Sequence, residues 1–213
     1  MLLQSALVQT ALVRKADRDL VALTALALLL TGPRHTYEML LLIEKTHKTF
    51  VAGLPRSLYH AVNRLVAAGD IRTVGATRDA GRPERTVYAL ADRGRARLDE
   101  WVARLLREPD PDSTLFTAAL TFAGCLPPVT VAGLLRERRG DLDRRAKAAR
   151  SALAGLPDLP RILLLETEYE ASRLAAERAW VSRIIADLDA GRLTWPGTPD
   201  AIAGVDHLLE EPP

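Results

Sequence analysis

A single cysteine, Cys125, among 213 residues excludes an intrachain disulfide. It fits a chain that works in a reducing cytoplasm. The N-terminal stretch MLLQSALVQTALVRKADRD has no cationic leader ahead of its apolar part, so it makes a poor signal peptide. The longest apolar run, Val21 to Leu30, is far below the ~20 residues a membrane span requires. Aromatic residues make up only 5% of the chain, so the core must be built from Leu, Ala and Val, a composition that favours helices. The catalytic signatures are missing too. There are four histidines, His35, His47, His60 and His207, and no HExxH, CxxC, P-loop or GxGxxG pattern. Ser57 lacks the GxSxG elbow. His35 and Glu38 sit three apart, but two weak ligands do not make a metal site. Cys125 lies in an apolar context, FAGCLPP, which suits a buried, inert thiol. No cofactor and no enzymatic activity are expected.

What is present is 48% hydrophobic residues, enough for a globular fold of one large domain or two small ones. The net charge of +2 is unevenly distributed. Residues 18–108 hold fifteen Lys/Arg against ten Asp/Glu, a net +5, and the remainder carries −3. The basic half also holds the most telling stretch, LPRSLYHAVNRLVAAG over 54–69. Leu58, Val62 and Leu65, spaced i, i+4, i+7, define the buried face of a helix that starts near Pro55 and ends at Gly69. The opposite face carries Arg56, Ser57, His60, Asn63 and Arg64. Arg can grip phosphate or the guanine edge, Asn pairs with adenine, and Ser57 and Tyr59 can donate to phosphate oxygens. Two strands follow, Ile71–Thr77 and Thr86–Leu90, joined by the turn 79–83. This hairpin carries Arg72, Arg78, Arg82 and Arg85. Its Gly-Arg-Pro tip is narrow enough for a minor groove. A groove-sized helix beside a cationic hairpin is a winged helix-turn-helix, and DNA binding follows as the leading function.

Other elements frame this pair. Helices are expected over 2–13, 19–30, 36–46 with Thr36 as N-cap, and 92–106. Glu108-Pro109-Asp110-Pro111-Asp112 marks a boundary. Three further helices follow, about 113–124, 129–154 and 161–190, the last stopped by Gly191. The parts are then an N-terminal helical extension (1–17), a DNA-binding domain (18–108), a helical dimerisation domain (112–195) and a loose tail (196–213). The fold class is mainly α. Ile162, Leu165, Tyr169, Ala176, Trp180, Ile184 and Leu188 form a three-and-four stripe of the kind a partner helix uses, which points to a homodimer. Trp101 is either a core plug or one wall of a ligand pocket, which Phe116, Phe122, Tyr169 and Trp180 would complete.

Three motifs, RHTYEM (34–39), PRSLYHAVNRLVAAGDI (55–71) and GRPERTVYALADRGRARLDEW (81–101), resemble the PadR family of bacterial transcriptional regulators. The segment ETEYEASRLAAERAWVSRIIADLDAGRLTW is similar to the helical C-terminal region of its longer members. The likeness runs over roughly 18–195. It implies a cytoplasmic homodimer, usually a repressor of neighbouring genes, that binds a near-palindromic operator and answers to a small hydrophobic or aromatic effector. It places Tyr37, Ser57 and Tyr59 near DNA and Arg82 and Arg85 in the wing. Thr36, Arg56 and His60 depart from the family pattern, so the operator sequence does not carry over. Two other classes stay open. A winged helix used only for protein–protein contact would lack salt-sensitive DNA binding, and an enzyme would need an acid/base pair that the sequence does not offer.

Overall fold

The computed structural model describes residues 18–46, 48, 50–77 and 85–196. The expected N-terminal helix, the wing tip with Arg78 and Arg82, and residues 197–213 of the tail lie outside the described residues.

The first helix, α1 (Leu20–Leu28), is buried along nearly its whole length, as its apolar sequence demands. The Asp19 side chain caps it by accepting from the Ala22 amide at 3.1 Å. A 3₁₀ turn, Leu29–Thr31, follows, and Gly32 leaves it at φ 142°. There the chain forms a two-residue strand, β1 (Arg34–His35), too short for any sequence pattern to announce. Arg34 is buried because its guanidinium bonds back to the Leu28 carbonyl at 2.9 Å and to Thr31 at 2.5 Å. Helix α2 (Thr36–Lys45) comes next. Its N-cap is His35, not Thr36. The His35 amide is taken by the Glu38 carboxylate at 2.6 Å, and Thr36 is the buried first residue of the helix.

Helix α3 (Arg56–Ala67) buries Leu58, Val62 and Leu65 to 2% exposure or less, together with Ala61. Gly69, at φ 72°, stops it. The Gly69 amide bonds the Val66 carbonyl and the Asp70 amide bonds the Leu65 carbonyl, both at 2.9 Å, which is a Schellman cap. The wing strands are β2 (Ile71–Thr77) and β3 (Arg85–Leu90). The sheet order is β1-β3-β2, antiparallel throughout. Thr73 faces Tyr88 and Gly75 faces Val87, so Val74 is an extra residue that bulges the wing.

Helix α4 (Asp92–Arg107) closes the winged helix and runs into the acidic Pro segment. Beyond lie α5 (Ser113–Thr121), capped by Asp112, then a 3₁₀ turn (Ala123–Cys125) and a long hairpin of α6 (Pro128–Ala154) and α7 (Leu165–Asp189). Here α5 is shorter than the sequence pattern suggests, because Phe122 leaves helical geometry and turns into the core. Gly191, at φ 67°, follows α7 as expected.

One cluster of buried side chains passes through all seven helices, from Leu23 and Leu26 through Met39, Leu65, Leu98 and Leu135 to Val181 and Ile185. Each such side chain stabilises the fold by roughly 1.5–3 kcal/mol through removal from water.

Two polar devices hold α4, one to the start of the wing and one to the α6–α7 hairpin. Asp70, fully buried, accepts a hydrogen bond from Arg97 on one carboxylate oxygen and is ion-paired with Arg93 at 3.3 Å through the other. Its carbonyl accepts from Ala91 at 3.0 Å. Arg138, 1% exposed, bonds Glu177 at 2.7 Å and the Leu105 and Glu108 carbonyls at 3.1 and 2.9 Å. It thereby satisfies the open carbonyl end of α4 from α6. The Phe116 ring lies under its guanidinium at 3.6 Å.

Candidate nucleic-acid interface

The amphipathic pattern of α3 decides what that helix presents. With Leu58, Ala61, Val62 and Leu65 turned inward, Arg56, Tyr59, His60, Asn63 and Arg64 are left exposed. Between Lys45 and Gly69 the chain has four Lys/Arg and no carboxylate, so nothing on this segment neutralises the face. Tyr59 is 50% exposed, and Tyr37, in the first turn of α2, is 47% exposed. Two successive helices thus each turn a hydroxyl-bearing ring toward solvent.

Not every expected residue is equally free. Ser57 is half-buried, and its hydroxyl donates to the Ala52 carbonyl at 3.0 Å, closing the turn before α3. Arg56 Nε donates to His60 Nε2 at 3.4 Å, one helical turn on. Arg64, in the last turn, is held by the Asp19 carboxylate at 2.5 Å. Among the exposed polar residues of this face, Arg56 bonds only within the face and Asn63 has no hydrogen bond to the rest of the described residues, whereas Ser57 and Arg64 are tied to neighbouring segments. On the wing, Arg72 is exposed on β2 and Arg85 opens β3, while Arg78 and Arg82 lie outside the described residues.

The five aromatic residues expected to share a pocket are not brought together. Trp101 is 2% exposed on the inner face of α4, under Arg97, and is core. Phe122 is buried against Phe50 at 6.1 Å. Tyr169 is 71% exposed near the start of α7. Only Phe116 and Trp180 meet, edge-on at 6.0 Å. The apolar stripe expected to meet a partner helix is split, with Trp180, Ile184 and Leu188 half-buried against the core of the same chain. The buried face is Leu174, Val181 and Ile185, set against α6, whereas Ile162, Leu165, Tyr169 and Ala176 face solvent.

Two sites were not visible in the sequence. Arg138 is one of many arginines in a strongly charged helix, and no pattern separates it. The other is an open groove of about 700 Å³ walled by Trp180 and Trp195 and reached by Lys48. Burial pushes the Lys48 ammonium below its ordinary pKa. Burial likewise pushes the Cys125 thiol up to about 12. Among the described residues no group of three His, Cys, Asp or Glu is placed to hold a metal ion, and no helix is long and apolar enough to cross a membrane.

Helix α2, the turn, α3 and the β2–β3 hairpin define a winged helix-turn-helix protein. Residues 25–100, about a third of the chain, match the Transcriptional regulator PadR-like family. The match is narrower than the 18–195 that the motifs suggest. Among solved structures, the chain is similar to Bacillus subtilis PadR in complex with operator DNA, at 18% identity and a TM-score of 0.39, over 78% of this chain and 98% of that one. It is also similar to Bacillus subtilis PadR in complex with p-coumaric acid, at 17% identity and a TM-score of 0.37, over 80% and 99%. A third is smu.1604c from Streptococcus mutans UA159, at 19% identity and a TM-score of 0.35, over 79% and 98%. No curated protein matches the chain.

Proposed function

We propose that this protein is a transcriptional regulator, a cytoplasmic homodimeric repressor of neighbouring genes, which binds operator DNA through α3 and the wing and is released by a small hydrophobic or aromatic effector. The observation that carries the DNA reading is the carboxylate-free face of α3. Arg56, Tyr59, His60 and Asn63 project from a helix whose other side is locked into the core. Arg56 and Asn63 are the base readers, Tyr37, Ser57 and Tyr59 contact the backbone, and Arg78, Arg82 and Arg85 carry the wing onto an adjacent groove. Arg64 serves the end of α3 through Asp19, and its contact with DNA is to a phosphate.

Residues 18–108 form the reading part and 112–195 the pairing part. Support for pairing comes from Ile162, Leu163 and Tyr169, which are 66–71% exposed and uncovered within one chain. A dimer also gains affinity by engaging two half-sites about 34 Å apart. Effector release works by population shift: a ligand that favours the dimer with wrongly spaced reading helices lowers operator affinity. The test is DNA affinity of Asn63→Ala. On the operator a loss of about 1–3 kcal/mol is expected, with little change on scrambled DNA. Equal affinity of variant and parent for both DNAs would favour a protein-binding winged helix.

A further inference from the structure

Helix α3 opens on a cation, where helices favour acids. Its first residue is Arg56, and its first turn holds no Asp or Glu. The macrodipole makes that place unfavourable for a positive charge, so Arg56 adds little to the stability of α3 and calls for another role. It has a partner one turn on. Arg56 Nε donates to His60 Nε2 at 3.4 Å, and both residues are exposed. For Nε2 to accept, the ring proton must sit on Nδ1, so the imidazole in this arrangement is neutral. Arg64, a further turn along, is held differently: the Asp19 carboxylate takes its Nη2 at 2.5 Å. A carboxylate that close neutralises the cation and competes with any other anion for it. The neutral ring of His60 does neither. It biases the direction of the guanidinium and leaves its charge and both Nη groups available. Arg56 and His60 are also two of the three positions at which this chain departs from the PadR pattern, so the pair is a feature of this chain's own surface.

We propose that His60 is a positioning residue: it holds Arg56 so that the Nη1–Nη2 fork is presented end-on, and the oriented fork reads a guanine in the major groove. This rests on the DNA-binding reading of α3. In a docked recognition helix the N-terminal residues meet the base edges, and Arg56 is the first residue of α3. A fork of two N–H donors matches O6 and N7 of guanine, the edge that arginine pairs with bidentately. A free arginine on a helix surface must be ordered each time it binds, which costs affinity. Prior orientation by His60 removes part of that cost for the one target that suits the oriented fork. It therefore sharpens selectivity more than it raises general attraction to phosphate. The charged groups nearest the pair are Arg64 on the same helix and Asp19 at the cap of α1, and these two hold each other. Between Lys45 and Gly69 the chain has no carboxylate to draw Arg56 away from this role.

The test uses the full chain and the duplex it prefers from a random-sequence pool. Each guanine of that duplex is replaced in turn by 7-deazaguanine, which lacks the N7 acceptor. At one guanine in each copy of the recognised motif, the replacement should cost the parent protein about tenfold in affinity and Arg56→Ala less than about twofold. His60→Leu should weaken binding to the unmodified duplex about three- to tenfold, the fold-change of ordering one long side chain, and leave scrambled DNA unchanged. His60→Gln, whose amide oxygen reaches about as far as Nε2, should stay within about twofold of the parent. In the Arg56→Ala background His60→Leu should have no further effect, as for a residue that acts through another. An equal loss from His60→Leu in both backgrounds would overturn the proposal and make His60 a DNA contact in its own right. So would a loss that glutamine does not recover. Nitrogen NMR of the histidine rings reports the pair without DNA: His60 Nε2 should be the accepting nitrogen, and its signal should move in Arg56→Ala. The pair seen by NMR with no duplex preferred over scrambled DNA would sink the regulator reading and the guanine assignment with it. A preferred duplex with no coupling between Arg56 and His60 would keep that reading and remove the positioning role.

Discussion

Arg64 Nη2 donates to Asp19 Oδ2 at 2.5 Å, joining the last turn of α3 to the cap of α1. An arginine so held has less to offer DNA than its exposure suggests. Arg56→Ala should cost about 1–3 kcal/mol of operator affinity, the scale of a base contact, and Arg64→Ala less than about 1 kcal/mol. Anisotropy titrations of the two variants side by side decide the matter. An equal loss in both would restore Arg64 to the reading set.

Gly94 meets the chain at its tightest point. A Cβ there would lie 2.0 Å from the Asp70 carbonyl oxygen, a backbone atom that cannot yield. Gly94→Ala should therefore destabilise the protein by about 3 kcal/mol and separate α4 from the start of the wing. Urea unfolding monitored by circular dichroism gives the value, and a cost near zero would mean that the two segments are not held this closely.

Removing Arg138 leaves the Leu105 and Glu108 carbonyls without its guanidinium and leaves the part-buried Glu177 carboxylate with Arg173 alone, at 3.4 Å. Arg138→Met should lower stability by about 3–5 kcal/mol. Lysine, with a compact head and no planar face for Phe116, should recover little of it. Glu177→Gln should cost less, since the guanidinium keeps its carbonyl partners. A mild Arg138→Met, measured by the same unfolding experiment, would show that α4 and the α6–α7 hairpin are joined mainly by apolar packing.

Cys125 gives a pH signature. In the fold its pKa is raised to about 12 from 9.0, by burial first. The unfolded thiol loses its proton near pH 9 while the folded one keeps it. Stability is thus fully retained below about pH 9 and falls as pH rises from there toward 12, at up to about 1.4 kcal/mol per unit. Cys125→Ala should flatten the decline between about pH 9 and about pH 12, the window set by the two pKa values. An unchanged slope in the variant would place the thiol in contact with water.

How much of this was legible in the sequence depended on whether one face alone was apolar. Leu58, Val62 and Leu65 repeat on a helix that is polar elsewhere and is ended by Gly69, so both the face and the stop could be read. On α7 two stripes compete at similar spacing, Leu165–Tyr169–Trp180 and Leu174–Val181–Ile185, and only packing against α6 selects the second. The Thr36 cap followed general preference, and Glu38 bonding the His35 amide overrode it. Pocket residues were the least readable. Trp180, Trp195 and Lys48 are far apart in the chain, and their meeting depends on how α2 and α3 sit against the hairpin.

The central claim is sequence-selective DNA binding by the face of α3. It is tested most directly by fluorescence anisotropy of the pure protein with DNA from upstream of its own gene, against scrambled DNA, across a salt series. The account predicts tight binding to the first and weaker binding to the second, with affinity falling steeply as salt rises because phosphate contacts release counterions. Equal, weak affinity for both DNAs, gone by moderate salt, would contradict it.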